Sequence, residues 1–295
     1  MKSGLASPIS IGIKQLRKNR CLSYVVFDRT TREALLIDPH PALVEEYREC
    51  LGGLRLKLIQ TQLTSTLGDH ESAAGAFGVP SGVSLRVSPG SSQTQVKIGE
   101  LQFQVLRSSQ SPEGVLLLGE GVLFAGDLFQ LGSDTASRDE LISVWNIPKL
   151  LPETVIFVAH DERNLVCSLA QREFPSFGKS TPTRGLESFR PVSIPVEKYK
   201  ARIEESSGQS FFVDVREEDE YRAGHIPGTQ NIPLSEIGLY WKEFSRYKKI
   251  YCSCLSGIRS EMAAKTLSYL GLNDVVHLQG GYRAWMNAGY PSKNC

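Results

Sequence analysis

The sequence predicts an α/β protein of two domains, a strand-rich first domain and a second built on a parallel sheet. Three observations carry this. The 295 residues exceed one average domain and suit two, each able to bury its own core. Runs rich in β-branched and aromatic residues crowd the chain up to Val158, whereas beyond Pro195 strands alternate with helices. Between them, Pro175, Pro182, Pro191 and Pro195 are interleaved with Ser, Thr, Gly and Arg, the composition of a linker. The expected organisation is a first domain over 1–175, a linker over 176–195 and a second domain over 196–295.

In the first domain, Ser23 to Phe27 and Ala34 to Asp38 read as two strands joined by a turn, and Ala42 to Leu51 as a helix. Lys57 to Thr61 reads as a strand, followed by a polar loop to Glu71 and a short helix. Further strands are expected at Val83 to Val87, Leu101 to Leu106, Val115 to Leu118, Val122 to Phe124 and Val155 to Val158, then a short helix over Leu165 to Glu173. In the second domain the strands are Phe211 to Val215, Lys249 to Cys252 and Val275 to Leu278. The helices are Val196 to Glu205, Glu217 to Ala223, Leu234 to Arg246 with a break, Arg259 to Leu270 and Tyr282 to Ala288. Such alternation predicts a parallel sheet.

Composition narrows the function. With 41% hydrophobic and 22% charged residues the chain reads as globular, and no apolar run approaches the roughly 18 residues of a membrane span. Thirty-three basic against 32 acidic residues give a net charge of +1, without a long run of either sign, so neither nucleic acid nor membrane is an expected partner. No export signal is visible, and the cytoplasm is the expected compartment. The six cysteines, Cys21, Cys50, Cys167, Cys252, Cys254 and Cys295, are too irregular for a disulfide framework. The C-x-C pair Cys252 and Cys254 lacks a second pair for zinc, so any thiol chemistry is individual.

Cys254 is the candidate nucleophile. The strand ending at Cys252 runs into Cys254-Leu255-Ser256-Gly257-Ile258-Arg259-Ser260 and then into an amphipathic helix. At a strand-to-helix turn, converging backbone N–H groups and the helix N-terminus stabilise an anion, so the thiolate is expected to be favoured. Gly257 permits the tight backbone path, and Arg259 can fork toward the loop centre. Four residues, Leu255 to Ile258, separate the cysteine from the arginine. That cradle suits a sulfur atom or a sulfite group; a phosphate would need a longer loop. Cys252 reads as a packing residue for which a resolving role is conceivable, and His225 as a turn residue.

Over residues 195 to 292 these features resemble the rhodanese family. Asp214-Val215-Arg216, Glu220-Tyr221, Gly224-His225-Ile226-Pro227-Gly228 and Asn231-Ile232-Pro233-Leu234 look like its first signature, and Gly280-Gly281-Tyr282-Arg283-Ala284-Trp285 like its closing one. The resemblance implies a sulfurtransferase in which Cys254 takes a sulfane sulfur from a donor, holds it as a persulfide and yields it to a thiol acceptor. Arg259 would act beside it. Leu255, Ser256, Gly257, Ile258 and Ser260 would form the substrate loop, and Asp214 would pair with Arg216 in support.

Residues 11 to about 175 resemble the metallo-β-lactamase fold, among whose members are persulfide dioxygenases. The resemblance rests on Cys21-Leu22-Ser23-Tyr24-Val25-Val26, Glu33 to Pro39, the strand ending at Thr61, Leu123-Phe124-Ala125-Gly126-Asp127 and Val158-Ala159-His160-Asp161. It implies an αββα sandwich. Where that family places H-x-H-x-D-H, this chain has Gln62, Thr64, Thr66 and Leu67, and the later histidine falls on Gln110. Only Asp127 and His160 keep ligand character, so neither metal nor other cofactor is expected. A shifted set of Asp69, His70, Asp127 and His160 is the alternative metal site. Without metal, the domain is left as scaffold, homodimer surface or pocket for a persulfide carrier.

The leading expectation is a sulfurtransferase moving sulfane sulfur from thiosulfate or a persulfide such as glutathione persulfide to a thiol acceptor. With Arg259 the only basic residue in the loop, an organic persulfide is favoured over anionic thiosulfate. The alternatives are a metal-dependent persulfide dioxygenase fused to the rhodanese domain, and a non-enzymatic persulfide carrier or sensor.

Overall fold

The computed structural model describes residues 9–64, 71–79, 95–107, 114–127, 150–161, 165–173, 191–205 and 208–294. These divide into two compact units, one built from 9–161 and 169–173, the other from 165–168 and 191–294. Among the described residues no helix is long and apolar enough to cross a membrane.

The first unit contains two sheets. One has the order β1-β2-β3-β4, formed by Ile11–Lys18, Cys21–Asp28, Glu33–Ile37 and Lys57–Gln62. The strand pairs are antiparallel except β3 with β4. β2 explains the uninterrupted apolar run Tyr24 to Phe27, because both of its faces are covered. Val25 and Phe27 join Ala34, Leu36, Leu43 and Tyr47 in a cluster under α1 (Val44–Gly53). Tyr24, on the opposite face by the two-residue period of a strand, meets Phe124 and Phe157 at ring separations of 5.3 and 5.4 Å. Those rings belong to the second sheet, ordered β10-β9-β8-β7-β6-β5. Its strands are Gln95–Ile98 (β5), Leu101–Arg107 (β6), Val115–Gly119 (β7), Val122–Phe124 (β8), Val155–Phe157 (β9) and Ser168–Leu169 (β10). Helix α1, the four-stranded sheet and the six-stranded sheet thus stack in layers, three of the four layers of the αββα sandwich that the resemblance predicts. Short helices α2 (Glu71–Ala74) and α3 (Ala170–Glu173) follow β4 and β10.

The second unit is a parallel sheet in the order β11-β15-β14-β12-β13: Val192–Ile194, Val275–Leu278, Lys249–Ser253, Ser210–Asp214 and Gln230–Asn231. One face carries Phe212, Tyr251, Val276 and Leu278 against Val196 and Tyr199 of α4 (Val196–Glu204) and Trp285 of α8 (Gly281–Asn287). On the other face Phe211 packs on Phe244 of α6 (Trp241–Phe244), with ring centroids 5.3 Å apart. α5 (Glu218–Ala223) follows β12, and α7 (Ile258–Tyr269) packs on β14 and β15.

Five strands depart from the sequence expectation. β1 and β5 lie in stretches to which the sequence reading assigns no strand; β5 alternates exposed and buried residues, and β1 pairs along its whole length with β2. β13 is two residues long. β11 falls inside the segment read as linker: its outer residues Val192 and Ser193 are exposed, yet its backbone completes the sheet edge beside β15. The expected helix Leu165 to Glu173 is instead β10 followed by the single turn α3. The expected strand Val83 to Val87 and most of the expected linker lie outside the described residues.

Candidate active site

β14 is a central strand, and its carboxyl end is where an α/β sheet presents ligands. The chain leaves it at Ser253, whose carbonyl accepts from Val215 N at 2.9 Å and whose hydroxyl donates to Val213 O at 3.2 Å. The next residue is Cys254. Its side chain is 1% exposed at the base of the loop. Leu255 and Arg259 are half-buried, Ser256 is exposed and Ile258 is 68% exposed at the rim.

The loop is fastened from one side by α8. The amide of Tyr282 donates to Cys254 O at 2.6 Å and that of Arg283 donates to Leu255 O at 3.0 Å. Both amides belong to the first turn of a helix, where N–H groups have no intrahelical acceptor, so helix and loop satisfy each other. All described peptide bonds are trans, and in a trans peptide the N–H points opposite to the C=O. With the carbonyls of Cys254 and Leu255 turned toward α8, the N–H groups of Leu255 and Ser256 turn away from it. The third loop amide, Gly257 N, donates to Cys254 Sγ at 3.1 Å. Cys254 S–H in turn reaches Ser260 Oγ at 3.5 Å, and that hydroxyl donates to Gly257 O at 3.0 Å. Gly257 itself caps α7 at φ 101°, a backbone region that side-chain-bearing residues avoid.

Asp214 and Arg216 pair as expected. The guanidinium donates through Nε at 3.0 Å and Nη2 at 2.8 Å to the carboxylate, and both side chains are buried. Its remaining donors reach Glu220 O at 3.2 Å and Gly224 O at 2.7 Å, so the buried charge is satisfied. The guanidinium also lies 4.5 Å from the ring centroid of Tyr282, the residue whose amide holds Cys254 O. His225 stacks on Tyr221 at 3.8 Å and bonds Tyr221 O through Nδ1, a packing role. Cys252 is fully buried, and burial pushes its thiol well above the usual range, with neighbouring Cys254 adding to the effect.

Arg259 is a correction. It was expected to fork toward the loop centre, but its two terminal nitrogens donate to the two carboxylate oxygens of Glu220 at 2.6 and 2.7 Å. A planar fork matches a carboxylate in two places at once, and that match wins over solvated freedom above the loop. The hydrogen bonds from Arg259 hold the Glu220 carboxyl below the usual carboxylate range. Glu220 is held in turn by the capping box of α5, accepting from Glu217 N at 3.1 Å. The cradle therefore presents backbone dipoles, with its one guanidinium already neutralised. Sequence reasoning included Glu220 in a motif without giving it this role.

Among the described residues, the positions that the lactamase-like resemblance aligns with metal donors do not assemble a site. Gln62 Nε2 donates to Leu63 O at 2.8 Å, and Thr64 Oγ1 donates to Asp38 at 2.6 Å. Asp127 bonds to His160 Nδ1. Among the described residues no group of three or more His, Cys, Asp or Glu side chains could hold a metal ion. Asp69, His70, Thr66, Leu67 and Gln110 lie outside the described residues. The donors described do not fit the iron or zinc of that fold family.

A buried thiol at the end of a central parallel strand, with a loop amide on its sulfur and a helix behind the loop, defines an α/β domain of the cysteine-cradle class. Comparison with known proteins identifies which one. A Rhodanese-like domain model matches residues 195–288. The thiosulfate sulfurtransferase GlpE of Pseudoalteromonas translucida (strain TAC 125) is 35% identical over 80 residues, 27% of this chain and 75% of the relative. YrkF of Bacillus subtilis (strain 168) is 36% identical over 114 residues, 39% of this chain; the chain spans 60% of that relative's length. Through its second unit the chain belongs to the rhodanese-like family. The crystal structure of ETHE1 from Myxococcus xanthus is similar over 55% of this chain and 81% of its own, at 22% identity and a TM-score of 0.48.

The fastening of the loop can be tested at Gly281. A Cβ there would lie 2.3 Å from Cys254 O and 2.7 Å from the Leu255 carbonyl carbon, and its φ is 60°. Gly281→Ala should lower stability by about 1–3 kcal/mol in urea unfolding and abolish sulfur loading of Cys254. Gly289→Ala has a similar φ of 72° but open space around its Cβ, so it should leave loading intact.

Proposed function

We propose that this protein is a sulfurtransferase that moves sulfane sulfur from an organic persulfide to a thiol acceptor through a persulfide on Cys254. The observation that carries this reading is the contact of Gly257 N with Cys254 Sγ at 3.1 Å inside a loop of four intervening residues. An amide directed at sulfur stabilises negative charge there, and the short loop leaves room for one more sulfur atom. The relative named thiosulfate sulfurtransferase supports the same reaction class.

The Cys254 thiolate attacks the outer sulfur of the donor R–S–SH. The donor S–S bond breaks, a new S–S bond forms on Cys254, and the electron pair leaves on RS⁻, which takes up a proton. An acceptor thiolate then attacks the outer sulfur of Cys254–S–SH and releases the Cys254 thiolate. Each step is a displacement at sulfur and needs no external oxidant. The amides of Leu255, Ser256 and Gly257 would hold the negative terminal sulfur between the two displacements. The Glu220 partner of Arg259 favours an organic persulfide over dianionic thiosulfate, because a neutralised guanidinium offers a second anion little attraction.

Two measurements test this. Intact-mass analysis after incubation with glutathione persulfide should show an added sulfur assigned by peptide mapping to Cys254 and lost from that peptide in Cys254→Ser; undiminished labelling of that peptide region in the variant would refute the assignment. In steady state, Glu220→Gln should lower KM for thiosulfate several-fold by freeing the Arg259 charge while changing KM for glutathione persulfide little. An equal change for both donors would contradict the charge argument.

A further inference from the structure

The first unit holds a second set of groups with nucleophile geometry, which the Cys254 reaction does not use. Cys21 opens β2, and its Sγ lies 3.2 Å from His160 Nε2. The other ring nitrogen, His160 Nδ1, is bonded to the carboxylate of Asp127. A thiol, an imidazole within hydrogen-bond reach and a carboxylate fixing the far side of the ring are the three parts of an activated nucleophile.

The fold sets this arrangement. β8 and β9 run parallel, and their ladder continues past the strand ends through Ala125 N to Phe157 O at 2.8 Å and Ala159 N to Gly126 O at 2.9 Å. Asp127 and His160 therefore leave the second sheet at the same carboxyl edge. The first sheet meets them there: Cys21 and His160 form an antiparallel bridge, flanked by Leu22 N to Ala159 O at 2.6 Å and Asp161 N to Arg20 O at 3.1 Å. The next acidic residue, Asp161, is taken by Arg17 at 2.9 Å. Asp38 lies behind the set, accepting from Thr64 N at 2.7 Å and Thr64 Oγ1 at 2.6 Å. Burial pushes its carboxyl up to about 7, against the Thr64 hydrogen bonds. The His160 and Asp127 side chains are 37% and 30% exposed, so solvent reaches the set.

We propose that Cys21, His160 and Asp127 form a second reactive thiol centre, whose substrate class is a low-molecular-weight hydropersulfide. His160 takes the Cys21 proton, the thiolate attacks the outer sulfur of R–S–SH, and the donor S–S bond breaks as the Cys21 S–S bond forms. The proton passes from His160 to the departing RS⁻. The activated thiol stands on geometry alone; the choice of a sulfur donor rests on the sulfurtransferase reading above. Acyl transfer, the other chemistry of such a triad, requires N–H donors for a tetrahedral oxyanion. The described amides beside Cys21 and His160, those of Leu22, Ala159 and Asp161, are committed to the ladder between strands. Displacement at sulfur makes no oxyanion and needs none.

The full-length protein tests this against an internal reference. Cys50 is half-buried, like Cys21, and packs beside the α1 core. Peptide mapping of iodoacetamide labelling at pH 7 should show Cys21 reacting about tenfold or more faster than Cys50, with His160→Gln bringing it to the Cys50 rate. Equal rates in the wild-type chain would overturn the activated thiol without reference to any variant's folding. In Cys254→Ser protein given glutathione persulfide, the Cys21 peptide should gain one sulfur. Fast alkylation without that gain would overturn the substrate class. Loading of Cys254 is scored in the wild-type digest, so failure of either centre is read separately.

Discussion

The hydrogen bonds from Tyr282 and Arg283 to the carbonyls of Cys254 and Leu255 are the constraint on which the candidate site depends. A helix as short as α8 begins with amides that need acceptors, and a loop leaving a buried strand begins with carbonyls that need donors. Each solves the other's problem. Peptide planarity then turns the intervening N–H groups away from α8, so the polarity of the cradle follows from the fastening behind it. Glycine at 281 lets the two backbones approach that closely, and the Asp214–Arg216 pair, packed under Tyr282, holds the same corner from below.

The electrostatics of the cradle come from the main chain more than from side chains. Arg259 and Glu220 cancel at the rim, Cys252 is sealed in the sheet, and Gly257 N addresses the sulfur directly. Such a site favours a single negative charge on sulfur through backbone dipoles, with the charged side chain at its rim already paired. In the first unit the arrangement differs: Cys21 faces an imidazole and a carboxylate, side-chain groups that can move a proton.

How much of this was legible in the sequence follows from range. Val122–Phe124 and Val275–Leu278 coincide with the expected strands because buried strands write a continuous apolar run. The Cys254 loop was legible because its parts are contiguous. β5 and β11 were not: their alternating or exposed faces carry little apolar signal, and their pairing partners decide them. Arg259 was read with the wrong target because Glu220 is 39 positions away and nothing local announces the contact. Cys21 and His160 are 139 positions apart, and only the junction of two sheets brings them together. The Gly280-Gly281-Tyr282-Arg283 run was visible as a motif, while its work, holding two carbonyls, needed the fold to be seen.

The most direct test of the central claim is a crystal structure of the protein after reaction with glutathione persulfide. The account predicts one extra sulfur bonded to Cys254 Sγ, within hydrogen-bond distance of the Leu255, Ser256 and Gly257 amides, with the Cys254 and Leu255 carbonyls still held by α8. An extra sulfur facing those carbonyls, or a loop released from Tyr282 and Arg283, would contradict it.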